Sequence, residues 1–434
     1  MATPTRRDFF KKTGLLSAAG LLTGVHPVAA LDPLFKKMQG LSDEELVSDE
    51  DFWYQVQQSF TVSPSLINLN NGGVSPAPRT VQEAMKRYYD YSNETPTYYM
   101  WRILDQGREP LRQQLARLAG CAVDEIAINR NSSEGLETVI FGMTLSSGDE
   151  VVASRQDYPN MINAWNQRVI RNGIKMVWVN LELPSEDEDY LVGQYVNAFT
   201  PNTKVVHLTH VINWNGQVLP VRKIAREAHR RGIEVIVDGA HSFAHLDFKI
   251  PDLEADYFAT SLHKWLYAPI GSGMLYVRKE KIASIFPLFA NDSPKSDDIR
   301  KFEALGTRPF FIEQAIGKAI EFNEMLGIGR KQKRLHYLKN YWMERVRSLP
   351  GVRLHTSMDS KWACAIGNMS VEGKTPGELD RFLLDKYKVH TVAIQWENIN
   401  GIRVTPNVYT TTRQLDQFIE GVTAFTNPAR YRGL

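Results

Sequence analysis

The sequence predicts an α/β protein, a mainly parallel sheet of seven strands held between layers of helix and followed by a smaller α+β unit. Three observations predict it. From about residue 120 to 280, short β-rich apolar runs alternate with amphipathic helical stretches; near residue 309 that rhythm gives way to long helices; and 434 residues, 43% hydrophobic and 23% charged, suffice for two cores.

The first thirty residues read as a processing segment. Arg6-Arg7-Asp8-Phe9-Phe10-Lys11 precedes a weakly apolar stretch from Leu15 to Val25, and Val28-Ala29-Ala30 offers small residues for cleavage. The segment resembles a bacterial twin-arginine signal peptide. That resemblance implies export through the twin-arginine translocation machinery in the folded state, to the periplasm or beyond. The apolar stretch is too short for a membrane anchor and is interrupted by Gly14, Gly20 and Gly24.

Residues 31–65 form an N-terminal segment, and 66–308 the large domain. Its strands are expected at 125–129, 150–154, 176–179, 204–210, 234–238, 257–261 and 273–277, with helices at 132–145, 160–171 and 221–231. Asn70-Asn71-Gly72-Gly73-Val74-Ser75-Pro76 reads as a turn requiring positive φ, and the acidic run from Ser185 to Asp189 as a solvated loop. The small domain, 309–434, carries long helices at 311–325 and 331–349. Short strands follow near 368–371, 389–395 and 402–405, with helices at 376–387 and 412–426. In such sheets, ligands sit at the carboxyl ends of the strands.

Charge and cysteine usage exclude several functions. Lys and Arg number 51 against 49 Asp and Glu, and without the first thirty residues the counts are 47 and 48. No global field recruits nucleic acid or an acidic membrane. Two cysteines, Cys121 and Cys364, make neither a disulfide framework nor a cysteine-based metal centre. The pairs His207 with His210 and His241 with His245 lack the further ligands of a tetrahedral site, so no metal is expected.

The unusual residues fall at strand ends. Residues 234–238 form a buried-type strand ending in Asp238, followed by Gly239-Ala240-His241; past the next strand come Ser261-Leu262-His263-Lys264-Trp265. An acid and a lysine so placed can face one ligand, although each alone has a plain reading as a cap or a surface lysine. Asn129-Arg130-Asn131-Ser132-Ser133-Glu134-Gly135 follows a strand and opens a helix, where hydroxyls and free N–H groups can receive a phosphate. Together these describe a phosphate cradle, a partner for a pyridinium nitrogen and an amine nucleophile.

With these motifs the chain resembles the class V aminotransferase family of fold-type I pyridoxal phosphate (PLP) enzymes, from about Leu66 to Phe425. The Val-Asp-Gly-Ala-His and Ser-Leu-His-Lys segments are its specific part. The resemblance implies a fold-type I PLP-dependent transferase in which Lys264 is the Schiff-base lysine, Asp238 the partner of the pyridine nitrogen, and His241 and Asn213 ligands of the phenolic oxygen. Ser132, Ser133, Ser261 and His263 would hold the phosphate. Arg403, with Asn71 nearby, would grip the carboxylate of an amino-acid-like substrate. Tyr158 takes the place of the histidine that many relatives stack on the ring, keeping an aromatic face but losing a titratable nitrogen. Gly306-Thr307 fits the segment that reaches the neighbouring subunit's phosphate, implying a homodimer.

Independently of the resemblance, an ionised Asp238 would keep a pyridine nitrogen protonated, so that the ring withdraws electrons from the substrate α-carbon, and Lys264 would serve as amine and then general base. The cofactor does not choose among transamination, epimerisation and elimination; the surrounding groups do. Residues 395–399, where one group of cysteine desulfurases carries its reactive thiol, hold none, and Cys364 reads as a small core residue on a strand. The spacing is similar to the isopenicillin N epimerase-like branch. A carbon–sulfur lyase of the same family and an exported binding protein without turnover remain the alternatives.

Overall fold

The computed structural model describes residues 41–427; the expected export signal lies outside the described residues. The strands in chain order are β1 (Ile67–Asn68), β2 (Ile126–Asn129), β3 (Glu150–Ser154), β4 (Lys175–Val179), β5 (Thr203–Thr209), β6 (Glu234–Asp238), β7 (Tyr257–Ser261), β8 (Gly273–Val277), β9 (Val352–Leu354), β10 (Gly367–Val371), β11 (Val389–His390), β12 (Val392–Trp396) and β13 (Ile399–Val404).

Seven of them form one sheet in the order β2-β8-β7-β6-β5-β3-β4. It is parallel except at β8, which runs antiparallel to both β2 and β7. Side chains of a strand alternate between faces. Val235, Val237, Leu208 and Phe258 therefore enter one core, and Ile236, Val205, Tyr257 and Ala259 the other. Burial of both faces is why these strands read as unbroken apolar runs.

Helices fill the crossovers. Pro159–Asn172 begins with proline in its first turn and ends on Gly173, whose φ of 69° an L side chain would resist. Ser132–Gly142 is capped by Asn131, whose side chain accepts from the Glu134 N–H at 2.9 Å. The acidic run is no plain solvated loop: Asp187 caps the helix Glu188–Val196, and Glu186 accepts a hydrogen bond from Ser357.

Antiparallel strands in the order β12-β13-β10-β9 form a second sheet, covered by the helices Ile328–Val346, Pro376–Tyr387 and Thr412–Thr426. The strand expected at 389–395 is two strands. β11 pairs in parallel with β1, β12 joins the second sheet, and Thr391 between them donates to Asp380 at 2.5 Å. Through the β1–β11 pair the 66–76 segment lies against the C-terminal sheet, with Asn70 bridged to Thr405.

The expected turn is present at Asn71, Gly72 and Gly73, but neither glycine has the positive φ expected of it. Close approach accounts for Gly72: a Cβ would sit 3.3 Å from Thr405 Oγ1 and 3.6 Å from Arg403 Cζ. Cys364 is buried as expected, but in a bend before β10.

Candidate active site

The sheet register brings the carboxyl ends of three strands together: Thr209 of β5 lies opposite Asp238 of β6, and Asp238 opposite Ala259 of β7. Beyond β6 the chain must turn tightly against the sheet, and Gly239 permits it; its N–H reaches the Ala259 carbonyl at 2.9 Å. The Asp238 carboxylate accepts from the Ala240 N–H at 2.9 Å. Burial pushes its pKa up, with the Ala240 N–H and the Lys264 charge opposing.

Lys264 lies in the turn after β7, and its Nζ stands 3.1 Å from His241 Nε2. Burial lowers the amine to about 8; Asp238 favours its charge and Arg403 opposes it. A lysine of this kind is a nucleophile near neutral pH. His241 is held neutral, its pKa driven well down by burial and by the neighbouring Lys264, Arg403 and His245.

The serines meet across the sheet end. Ser261 Oγ accepts from the Ser132 N–H at 3.0 Å and lies 3.0 Å from Ser132 Oγ. Ser133 follows in the first helical turn, where amides face outward with the positive helix end. His263 places Nδ1 3.0 Å from the Ser272 carbonyl, which can only accept, so the proton of the neutral ring is on Nδ1. Burial depresses its pKa to about 4, so Nε2 carries a lone pair and donates to an anion only after taking up a proton.

Arg403 on β13 is buried and pairs with no carboxylate among the described residues. Its Nη1 donates to the Asn213 carbonyl at 3.0 Å and its Nη2 to Asn70 Oδ1 at 2.9 Å. Burial lowers it to about 10, with Tyr158 close enough to act in the other direction. A buried guanidinium held only by neutral acceptors leaves its charge for an anion to neutralise. The Asn213 side-chain oxygen, also buried, has no partner among the described residues.

Asn71, expected beside Arg403 at the substrate carboxylate, is spoken for. Asn71 is fully buried and its amide is committed: Oδ1 takes the Tyr409 hydroxyl at 2.6 Å, and Nδ2 reaches the carbonyls of Asn68 and Thr405. Its neighbour Asn70 is the one that meets Arg403. Thr307, expected to reach a neighbouring subunit, is exposed beside Gly306 (φ 77°). Tyr158 is 42% exposed at the start of the helix Pro159–Asn172.

Sequence reasoning missed four contributors. Asp157 is buried, accepting from Thr209 Oγ1 at 2.7 Å and from the Ser154 N–H at 2.9 Å; burial lifts it to about 7, and Asp238 adds to the shift. An acid two residues before the proline that opens a helix was the available signal. Trp214 and Trp396 stack, and Trp265 donates to His241; nothing local distinguishes these indoles from core residues.

The family description "Aminotransferase class-V" matches residues 67–417. Isopenicillin N epimerase of Streptomyces clavuligerus is 26% identical over 395 residues, 86% of this chain and 98% of that protein. A probable cysteine desulfurase of Halalkalibacterium halodurans is 28% identical over 317 residues, 69% of this chain and 77% of that one. A solved C-DES variant with glycine covalently linked to its PLP cofactor shares the fold, with a TM-score of 0.77 at 21% identity over 85% of this chain and 98% of that chain.

Proposed function

The chain belongs to the class V aminotransferase family of PLP-dependent enzymes, and from that premise we propose that it acts on the amino group of an amino acid or amino-acid derivative, as an aminotransferase or an epimerase. The observation that carries this reading is the buried Arg403, without an acidic partner among the described residues, close enough to Lys264 to depress its amine. One group receives the α-carboxylate while the other handles the neighbouring amine and proton.

The residues fit PLP. Bound there, it supplies an aldehyde for amines and a ring that draws electrons from the substrate α-carbon. Lys264 would hold the aldehyde carbon and, as a free amine, would serve as the base for the α-proton. Asp238 would share a proton with the ring nitrogen, and His241 Nε2 and the amide nitrogen of Asn213 would donate to the phenolic oxygen. Ser132, Ser133, Ser261 and His263 would receive the phosphate. Tyr158 offers a stacking face and no titratable nitrogen at neutral pH.

Two features weigh against cysteine desulfuration. β12 and β13 pair without a break up to Trp396 and Ile399, so the hairpin closes through Glu397 and Asn398 alone, with no long loop and no thiol. Cys364 is buried, its thiol pushed to about 12 by that burial.

Purified chain is expected to show a cofactor absorption band that Lys264→Ala abolishes. Absence of any such band in wild type would sink the reading. A panel of amino acids and small peptides then identifies substrates by spectral change, and solvent-deuterium incorporation without oxo-acid formation separates epimerisation from transamination.

The Arg6-Arg7 segment supports an exported, periplasmic location for the enzyme, tested by fractionation with and without an Arg6→Lys/Arg7→Lys change. The exposed Thr307 supports a homodimer in which this turn reaches the neighbouring phosphate; sedimentation at micromolar concentration tests it.

A further inference from the structure

The two nitrogens of His241 have different neighbours. Nε2 faces Lys264 Nζ at 3.1 Å, and Nδ1 receives the indole N–H of Trp265 at 3.4 Å. An indole nitrogen can only donate, so Nδ1 must present its lone pair. In a neutral imidazole the proton then sits on Nε2. The opposite tautomer would set an Nδ1–H against the indole N–H, two donors with no acceptor between them.

The indole is itself held in place. His245 lies flat on it, ring centroids 3.7 Å apart and planes 11° from parallel. His245 Nε2 accepts from the Ala365 N–H at 3.0 Å, so its own proton is on Nδ1 and goes to the His241 carbonyl at 2.7 Å. The Trp265 carbonyl takes a hydrogen bond from buried Lys331, which also donates to Asn323 Oδ1 at 2.6 Å. Histidine backbone, indole plane and indole backbone are thus each anchored.

We infer that Trp265 is a positioning residue that keeps the His241 proton on Nε2, aimed at Lys264 in the free protein and at the phenolic oxygen of a bound PLP. The inference rests on the cofactor reading above and extends it. An Nε2–H donor also works against a Lys264 ammonium, because two donors would face each other, so Trp265 favours the neutral amine. The other charged or titratable groups bearing on this pair are Asp238, Arg403, His245 and, behind the indole, Lys331.

The test is nitrogen NMR of the full chain carrying isotope-labelled histidine, without cofactor and with PLP, alongside the pH profile of Lys264 capture of PLP. Wild-type His241 is expected to show an unprotonated Nδ1 and a protonated Nε2 at neutral pH. Trp265→Phe keeps a ring against His245 without the N–H. It is expected to mix the two tautomers and to move the capture midpoint upward by roughly half a pH unit or more. A wild-type proton on Nδ1 overturns the inference without recourse to a variant. So does a Trp265→Phe chain whose tautomer and midpoint are both unchanged. If wild type keeps the proton on Nε2 but takes up no PLP, the cofactor reading falls and the assignment of Trp265 stands.

Discussion

Trp396 lies stacked on Trp214, ring centroids 5.1 Å apart and planes 21° from parallel. Each indole N–H also holds a carbonyl of the segment leading to Tyr158, Trp396 that of Arg155 at 2.8 Å and Trp214 that of Gln156 at 2.9 Å. The C-terminal hairpin thereby sets where Tyr158 and Asn213 stand. Trp396→Ala should leave PLP uptake intact, because no cofactor ligand is removed. It should raise KM more than it lowers kcat, by ~10-fold if about 1.4 kcal/mol of positioning is lost. Steady-state kinetics on the best substrate decides.

Arg403→Lys should weaken binding of an amino-acid carboxylate by ~10- to 100-fold, since an ammonium cannot reproduce the two-pronged guanidinium contact. PLP absorbance should persist. A parallel loss of PLP would place Arg403 among the cofactor's ligands instead.

Binding of a phosphate ester should draw a proton onto His263, whose ring burial keeps neutral and whose Nδ1–H is committed to Ser272. Calorimetry with pyridoxine 5'-phosphate, which lacks the aldehyde and so spares Lys264, should show uptake approaching one proton above pH 7 in buffers of different ionisation enthalpy. His263→Gln should abolish that uptake.

Gly239→Ala should fold poorly. A Cβ there would fall 1.9 Å from the Phe258 ring, which is fully buried in the sheet core and cannot swing aside. Overpacking of this kind costs about 1–3 kcal/mol or more. A melting temperature equal to wild type contradicts the geometry.

Acid should destabilise the fold through its buried histidines. His207, His210 and His245 are buried, with pKa values lowered by burial to about 4, about 4 and about 3. Because the unfolded chain binds protons that the folded one refuses, stability is full above the ordinary histidine value and is lost as pH falls below it. At a pH of about 5 each histidine costs ~2 kcal/mol. Melting temperature against pH, in wild type and His207→Asn, tests this; a flat profile between neutral pH and pH ~5 refutes it.

Much of the catalytic end of the sheet was readable from local pattern. The strand ending in Asp238 and the one leading to Lys264 were bounded correctly because strands buried on both faces make continuous apolar runs that stop where polar chemistry begins. Less was readable where a strand breaks for reasons of pairing. The 389–396 run divides because its first two residues pair with Ile67–Asn68, more than three hundred positions upstream.

By itself the sequence determined the seven strands of the large sheet, the ends at which Asp238 and Lys264 stand, and the capped helix start beneath the serines, since each depends on residues within a few positions of one another. Only the tertiary structure decided that Asn70 and not Asn71 meets Arg403, that Cys364 lies in a bend, and that Trp265 directs the His241 proton. Those outcomes depend on which atom of a side chain faces which donor across the sheet. Neighbouring residues of like chemistry are interchangeable in a sequence pattern, but hydrogen-bond geometry tells them apart.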